Sequence, residues 1–167
     1  EGIDSNHNPE FTTMESYEAY ADYNDVMEMV ENLFGQIILN VKGTHEIQYG
    51  DNKLNFKPPW TRLNLRETLK DKSGIDFNLC TDVDELKDKM SKMGIDVRNQ
   101  LTWAGLMDKL ISEKIEPDLI QPTFLTDYPR EMSPLAKPSK ENPNIVERFE
   151  GFIAGMEVCN AFTELND

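Results

Sequence analysis

Two glutamates near the end of the chain, Glu150 and Glu157, have the type and placement that most directly suggest chemistry. They fall on two alternating runs, about 145–153 and 156–165, with Gly155 near the turn between them. Such a pattern predicts a long antiparallel hairpin carrying one carboxylate on each run. Depending on turn register, the two carboxylates lie close across the strands, where they repel unless a cation sits between them. A Mg²⁺ site for a nucleotide suits that arrangement. An exposed pair with no partner is the alternative.

A second set combines carboxylates with aromatic rings. In "FTTMESYEA", strand alternation places Phe11, Thr13, Glu15, Tyr17 and Ala19 on one face. In "EVCNAFTEL" it places Asn160, Phe162 and Glu164 together. If the two faces meet, a protonated amine fits between carboxylates and over a ring, through charge-assisted hydrogen bonds and a cation–π contact. Two sheet faces with surface ion ladders explain the same residues without a ligand. Phe11 is either core or a flat surface for a base to stack on, and His7 in its polar turn is either a phosphate contact or plain surface.

Other common chemistries have no signature here. The chain carries no GxGxxG, GxxxxGK[ST] or GxSxG, and no Cys lies near a His in sequence. With 31 Asp and Glu against 17 Lys and Arg, the net charge of -14 argues against a surface that grips nucleic acid and favours cationic ligands or divalent metals. Two histidines are too few for a His-rich zinc site. Cys80 and Cys159 show neither CxxC spacing nor a disulfide framework, so a reducing, cytoplasmic setting is expected. No apolar run approaches the ~20 residues of a membrane span.

The elements that must position these residues follow from periodicity. Threonines and tyrosines from Phe11 to about Ala21 predict a strand. Asn24 or Asp25 then predicts an N-cap, and Val26, Met29, Val30, Leu33, Phe34, Ile37, Ile38 and Val41 predict an amphipathic helix ended by Gly43. "HEIQYGDNKLNFK" predicts a hairpin around Gly50-Asp51-Asn52. Residues from about 65 to 115 change character, with short charged helices over 83–93 and 101–115, and read as a helical insertion flanked by strands. "IQPTFLTDYPREMSPLAKP" returns to strand composition, but its four prolines forbid a regular strand throughout. This order predicts an α+β fold with an antiparallel sheet.

Three long blocks carry a family resemblance. "EGIDSNHNPEFTTMESYEAYADYNDVM" resembles the second signature motif of class II lysyl-tRNA synthetases with the strand and helix after it. "LIQPTFLTDYPREMSPLAK" and "RFEGFIAGMEVCNAFTELND" resemble two further blocks of that catalytic domain, in the same order. The resemblance implies a class II synthetase fold, a mostly antiparallel sheet with flanking helices and a helical insertion, here incomplete. It implies one partial catalytic domain over 1–167: the motif loop, strand, helix and hairpin in 1–64, the insertion in 65–117 and active-site strands in 118–167.

It also implies roles. Glu1 would contact the adenine end of ATP, Phe11 would stack on adenine and His7 would lie near the phosphates, while Glu150 and Glu157 would hold Mg²⁺ bridging them. Glu15, Tyr17, Asn160, Phe162 and Glu164 would form the lysine pocket. The activity implied is ligation of lysine to tRNA(Lys) through lysyl-adenylate, in a homodimeric parent with no membrane association. The chain begins at Glu1 rather than Met and reads as an internal piece of a longer protein. In the family an arginine that clamps the α-phosphate precedes that glutamate, so the isolated piece is expected to lack full activity. Two rival readings are a synthetase-like paralogue that lysylates a protein and a non-catalytic binding module.

Overall fold

The first long element is built from its cap. The computed structural model describes residues 8–166, so Glu1 and His7, both expected at ATP, lie outside the described residues. Helix α1 spans Tyr23–Lys42, and Asp22 is its N-cap in a capping box with Asp25. The Asp22 carboxylate takes the N–H groups of Asn24 and Asp25, and the Asp25 carboxylate takes the Asp22 N–H at 2.7 Å. The helix therefore starts before the expected Asn24, and Gly43 ends it at φ 74°, as its αL position requires. A hairpin follows, β1 (Glu46–Tyr49) and β2 (Asn52–Asn55), in the register that the Gly50-Asp51 turn predicts.

The main sheet contains β3 (Thr61–Asn64), β4 (Thr123–Thr126), β5 (Arg148–Ile153) and β6 (Met156–Phe162), in the order β3-β4-β5-β6. The β4–β5 and β5–β6 pairs are antiparallel, whereas β3 and β4 are parallel. A parallel pair needs a long crossover, and the helical insertion supplies it. Its helices are α2 (Leu65–Ser73), α3 (Val83–Lys92) and α4 (Trp103–Lys114), capped by Asn64, Asp82 and Thr102. The α+β class thus holds, with one parallel pair in an otherwise antiparallel arrangement.

Alternation along the strands divides the apolar residues between two cores. Leu125, Phe152 and Tyr128 pack with α2–α4 on one side. Phe124, Phe149, Ile153 and Trp60 pack with α1 and the β1–β2 hairpin on the other. Glu150 alternates with Phe149 and Gly151, so it shares the insertion side of the sheet with Phe152.

Two expectations need correction. Residues 11–19 form no strand: the segment pairs with no strand among the described residues, and every side chain from Asn8 to Tyr20 is exposed. β composition without a ladder partner leaves both backbone polar groups and rings to solvent. The inward face of α1 is also rotated from the expected stripe. Met27, Val30, Glu31 and Gly35 are buried, while Met29, Leu33, Ile37 and Val41 stay exposed. The physical cause is close approach: a Cβ on Gly35 would sit 3.2 Å from both Phe56 O and Pro58 Cδ. Glu31 turns inward because its carboxylate accepts the Trp60 N–H at 2.7 Å and bonds Arg62 Nη2 at 3.2 Å.

Candidate functional site

The β5–β6 hairpin is set by a two-residue turn in which Ala154 and Gly155 both have positive φ, 54° and 74°. A turn of that kind matches the right-handed twist of the flanking strands and pairs Ile153 with Met156. Beyond it the ladder slips. Phe152 pairs with Glu157, but Gly151 pairs with Cys159, which leaves Val158 as an extra residue in β6. In an unbroken strand Glu157 and Asn160 would point to opposite faces, because three positions separate them. The bulge re-aims Glu157 onto the face that carries Glu150, Asn160 and Phe162.

Electrostatics agree with this placement. Partial burial, then repulsion from Glu150, raises the Glu157 pKa to about 6, even though the residue as a whole is exposed. Glu116, in the 3₁₀ turn Glu116–Asp118 after α4, is also raised, by burial first and then by Glu150. Glu157 therefore feels the charge of its expected cation-holding partner, Glu150, across the hairpin. On the opposite face Cys159 packs near Gly151, and burial pushes its thiol up to about 12. That thiol is a packing group.

Glu150 is held from two sides. The Tyr128 hydroxyl donates to its Oε2 at 2.7 Å, and the Arg148 guanidinium bonds its Oε1. Burial and the neighbouring Glu150 charge raise Tyr128 well above the ordinary phenol value, so it stays a donor. Arg148 Nε also donates to Asn160 Oδ1 at 3.1 Å. Neither Arg148 nor Tyr128 was singled out from the sequence. Arg148 had a signal, since it stands two residues before Glu150 on the same strand face; Tyr128 lies in a proline-broken loop and had none.

The remaining expected residues are gathered less closely. Phe162 is half-buried at the rim of the insertion-side core and pairs with Arg148. Glu164 is exposed and bridges through its backbone to Ala136. Phe11, Glu15 and Tyr17 all lie on the exposed segment, with Phe11 75% exposed. The start of α1, just after that segment, is tied to the residue that follows β6 by a bond from Tyr23 N–H to Thr163 Oγ1 at 3.1 Å. Among the described residues no hydrogen bond joins Glu15 or Tyr17 to β6, so their meeting with Asn160 and Glu164 stays an expectation. A cavity of about 580 Å³ opens between Phe77 and Trp103 of the insertion and Pro129, Arg130 and Asn144 opposite, and no expected ligand residue lines it.

Among the described residues no three His, Cys, Asp or Glu side chains converge on one point as a closed metal cage. Two carboxylates on one face, Glu150 half-buried and Glu157 exposed, instead match the habit of Mg²⁺, which binds one or two carboxylates and completes its shell with water and substrate phosphates. Glu157, raised by burial first and by Glu150 second, fits that chemistry, because a divalent cation would favour the ionised form that both effects disfavour. No helix among the described residues is long and apolar enough to cross a membrane.

Comparison with known proteins adds to this geometry. A family model described as tRNA synthetases class II (D, K and N) matches residues 1–167. The chain is 50% identical to a lysine–tRNA ligase of Chloroflexus aurantiacus, over all of this chain and 34% of that protein. It is 47% identical to one from Dehalococcoides mccartyi and 45% identical to one from Clostridium tetani, each again with 34% of the relative covered. The chain thus spans about a third of the length of the curated relatives it matches.

Proposed function

From the premise that this chain belongs to the class II tRNA synthetases, we propose that it is part of the catalytic domain of a lysine–tRNA ligase. In this reading the parent protein activates lysine with ATP and transfers it to tRNA(Lys), in the cytoplasm and as a homodimer. The observation that carries it is the bulged hairpin, which puts Glu150, Glu157 and Asn160 on one face. The resemblance assigns those three to the phosphate-bound cation and to lysine. The named relatives are lysine–tRNA ligases, and neither a protein-lysylating paralogue nor a non-catalytic module finds support among them.

The chemistry is attack of the lysine carboxylate oxygen on the α-phosphorus of ATP, forming a carboxyl–phosphate bond as the bond to pyrophosphate breaks. Such a step depends on positioning and on neutralising phosphate charge. Glu150 and Glu157 would hold Mg²⁺, which when bound supplies that neutralisation. Phe11 offers its exposed ring to adenine, with Glu1 and His7 expected at the nucleotide. Glu15 and Glu164 supply carboxylates for the substrate amines, with Tyr17 and Phe162 as ring walls. Cys80 and Cys159 are both unpaired, which suits a reducing compartment.

Lysine-dependent ATP–pyrophosphate exchange by the full-length parent tests the reading. Glu15→Gln removes one charge-assisted bond, so the KM for lysine should rise about 10- to 100-fold while that for ATP moves little. Equal loss for both substrates would remove Glu15 from the lysine pocket.

A further inference from the structure

We infer that Arg148 is a positioning residue that holds Glu150 and Asn160, a directly opposed cross-strand pair, in their working orientations; the inference rests on the lysine–tRNA ligase reading. The Arg148 side chain is only 14% exposed, as is that of Glu150. Every nitrogen of its guanidinium is engaged. Nη2 bonds Glu150 Oε1, Nε donates to Asn160 Oδ1 at 3.1 Å, and Nη1 donates to Met132 O at 3.2 Å and to Ser133 Oγ. Its Cζ lies 4.7 Å from the centre of the Tyr128 ring, whose hydroxyl bonds the other oxygen of Glu150.

This arrangement does more than neutralise a half-buried glutamate. A rigid fork that bonds two neighbouring side chains at once fixes both rotamers, which a point charge on a flexible stem does not. Glu150 is held through one lone pair on each oxygen and keeps the others for a cation. Asn160 has its amide oxygen drawn to Arg148, so its free donor is the Nδ2 amide. That donor suits an oxygen of the amino-acid substrate, its carboxylate, and leaves the substrate amines to the glutamates. The 3₁₀ turn Arg130–Met132 and Ser133 act as the backstop that keeps the guanidinium in place.

The test uses the full-length protein with R148K, which keeps the charge and removes the fork. Pyrophosphate exchange is measured against lysine and against ATP, together with thermal unfolding. R148K should raise the KM for lysine about tenfold, and R148K/N160A should be no worse for lysine than N160A alone, because the effect runs through Asn160. S133A, which loosens the backstop without stranding a charge, should shift the lysine KM in the same direction by about threefold. Unchanged lysine KM in R148K and S133A, with or without a lower Tm, would reduce Arg148 to a structural charge partner. Additive losses in R148K/N160A would overturn the route through Asn160. A wild-type parent with no lysine-dependent exchange would sink the ligase reading and this inference with it, whereas an active parent with unresponsive variants sinks the inference alone.

Discussion

Replacing Glu157 by Gln should make the protein more stable at neutral pH and leave it unchanged in mild acid. In the folded chain the Glu157 carboxyl is raised from 4.5 to about 6, so folding favours its protonated form. That preference is fully present below pH 4.5 and is lost as pH rises through about 6, because the folded state must then release a proton that the unfolded state has already lost. At ~1.4 kcal/mol per pH unit the full effect is roughly 2 kcal/mol. Glu157 is exposed overall, so solvent screening reduces this to about 1 kcal/mol, or roughly 2–4 °C in Tm. Gln carries no such proton. Denaturant unfolding of both proteins between pH 4.5 and 8 should therefore give a difference that grows from pH 4.5 and levels off just above about 6, in favour of the variant. Mg²⁺ added at pH 7.5 should close it by stabilising only the wild type, since its cation displaces the repulsion. A difference that stays flat across this range, or that opens with the opposite sign, would refute the partly buried placement of Glu157 beside Glu150.

Glu31→Ala should cost about 2–3 kcal/mol in denaturant unfolding, because the buried Trp60 N–H loses its acceptor; Glu31→Gln should cost less, since its amide oxygen can still accept that bond. A cost below ~0.5 kcal/mol for the alanine variant would show that α1 is not clamped to β3 through this carboxylate. Ala154→Asn puts an αL-tolerant residue at φ 54° and should stabilise the β5–β6 turn by about 0.5–1 kcal/mol, whereas a loss of stability would mean that the turn is not of the kind inferred.

Local rules account for much of the scaffold. The β5–β6 hairpin, the β1–β2 hairpin, α3 and α4 all stand where alternation, periodicity and turn residues place them, because their signals are set by neighbours in the chain. α1 was legible as a helix but not in its orientation. It is apolar nearly all round over 33–41, so periodicity alone does not choose a face; Gly35 against Pro58 and Glu31 against Trp60 choose it. The segment 11–19 shows the opposite limit, since strand composition has no meaning until a partner strand supplies the ladder.

The site divides the same way. By itself the sequence determined which residue types are available, two carboxylates on one hairpin and an Asn-Phe-Glu run beside them, together with the blocks whose family resemblance implies roles for them. Only the tertiary structure decided that Glu157 shares a face with Glu150 and Asn160, because that depends on a one-residue slip in the ladder, and a slip of one reverses every side chain beyond it. The same holds for Arg148 and Tyr128. Their chemistry was visible as letters, but their partners come from opposite strands and a distant loop, and sequence spacing does not encode the packing that brings these together.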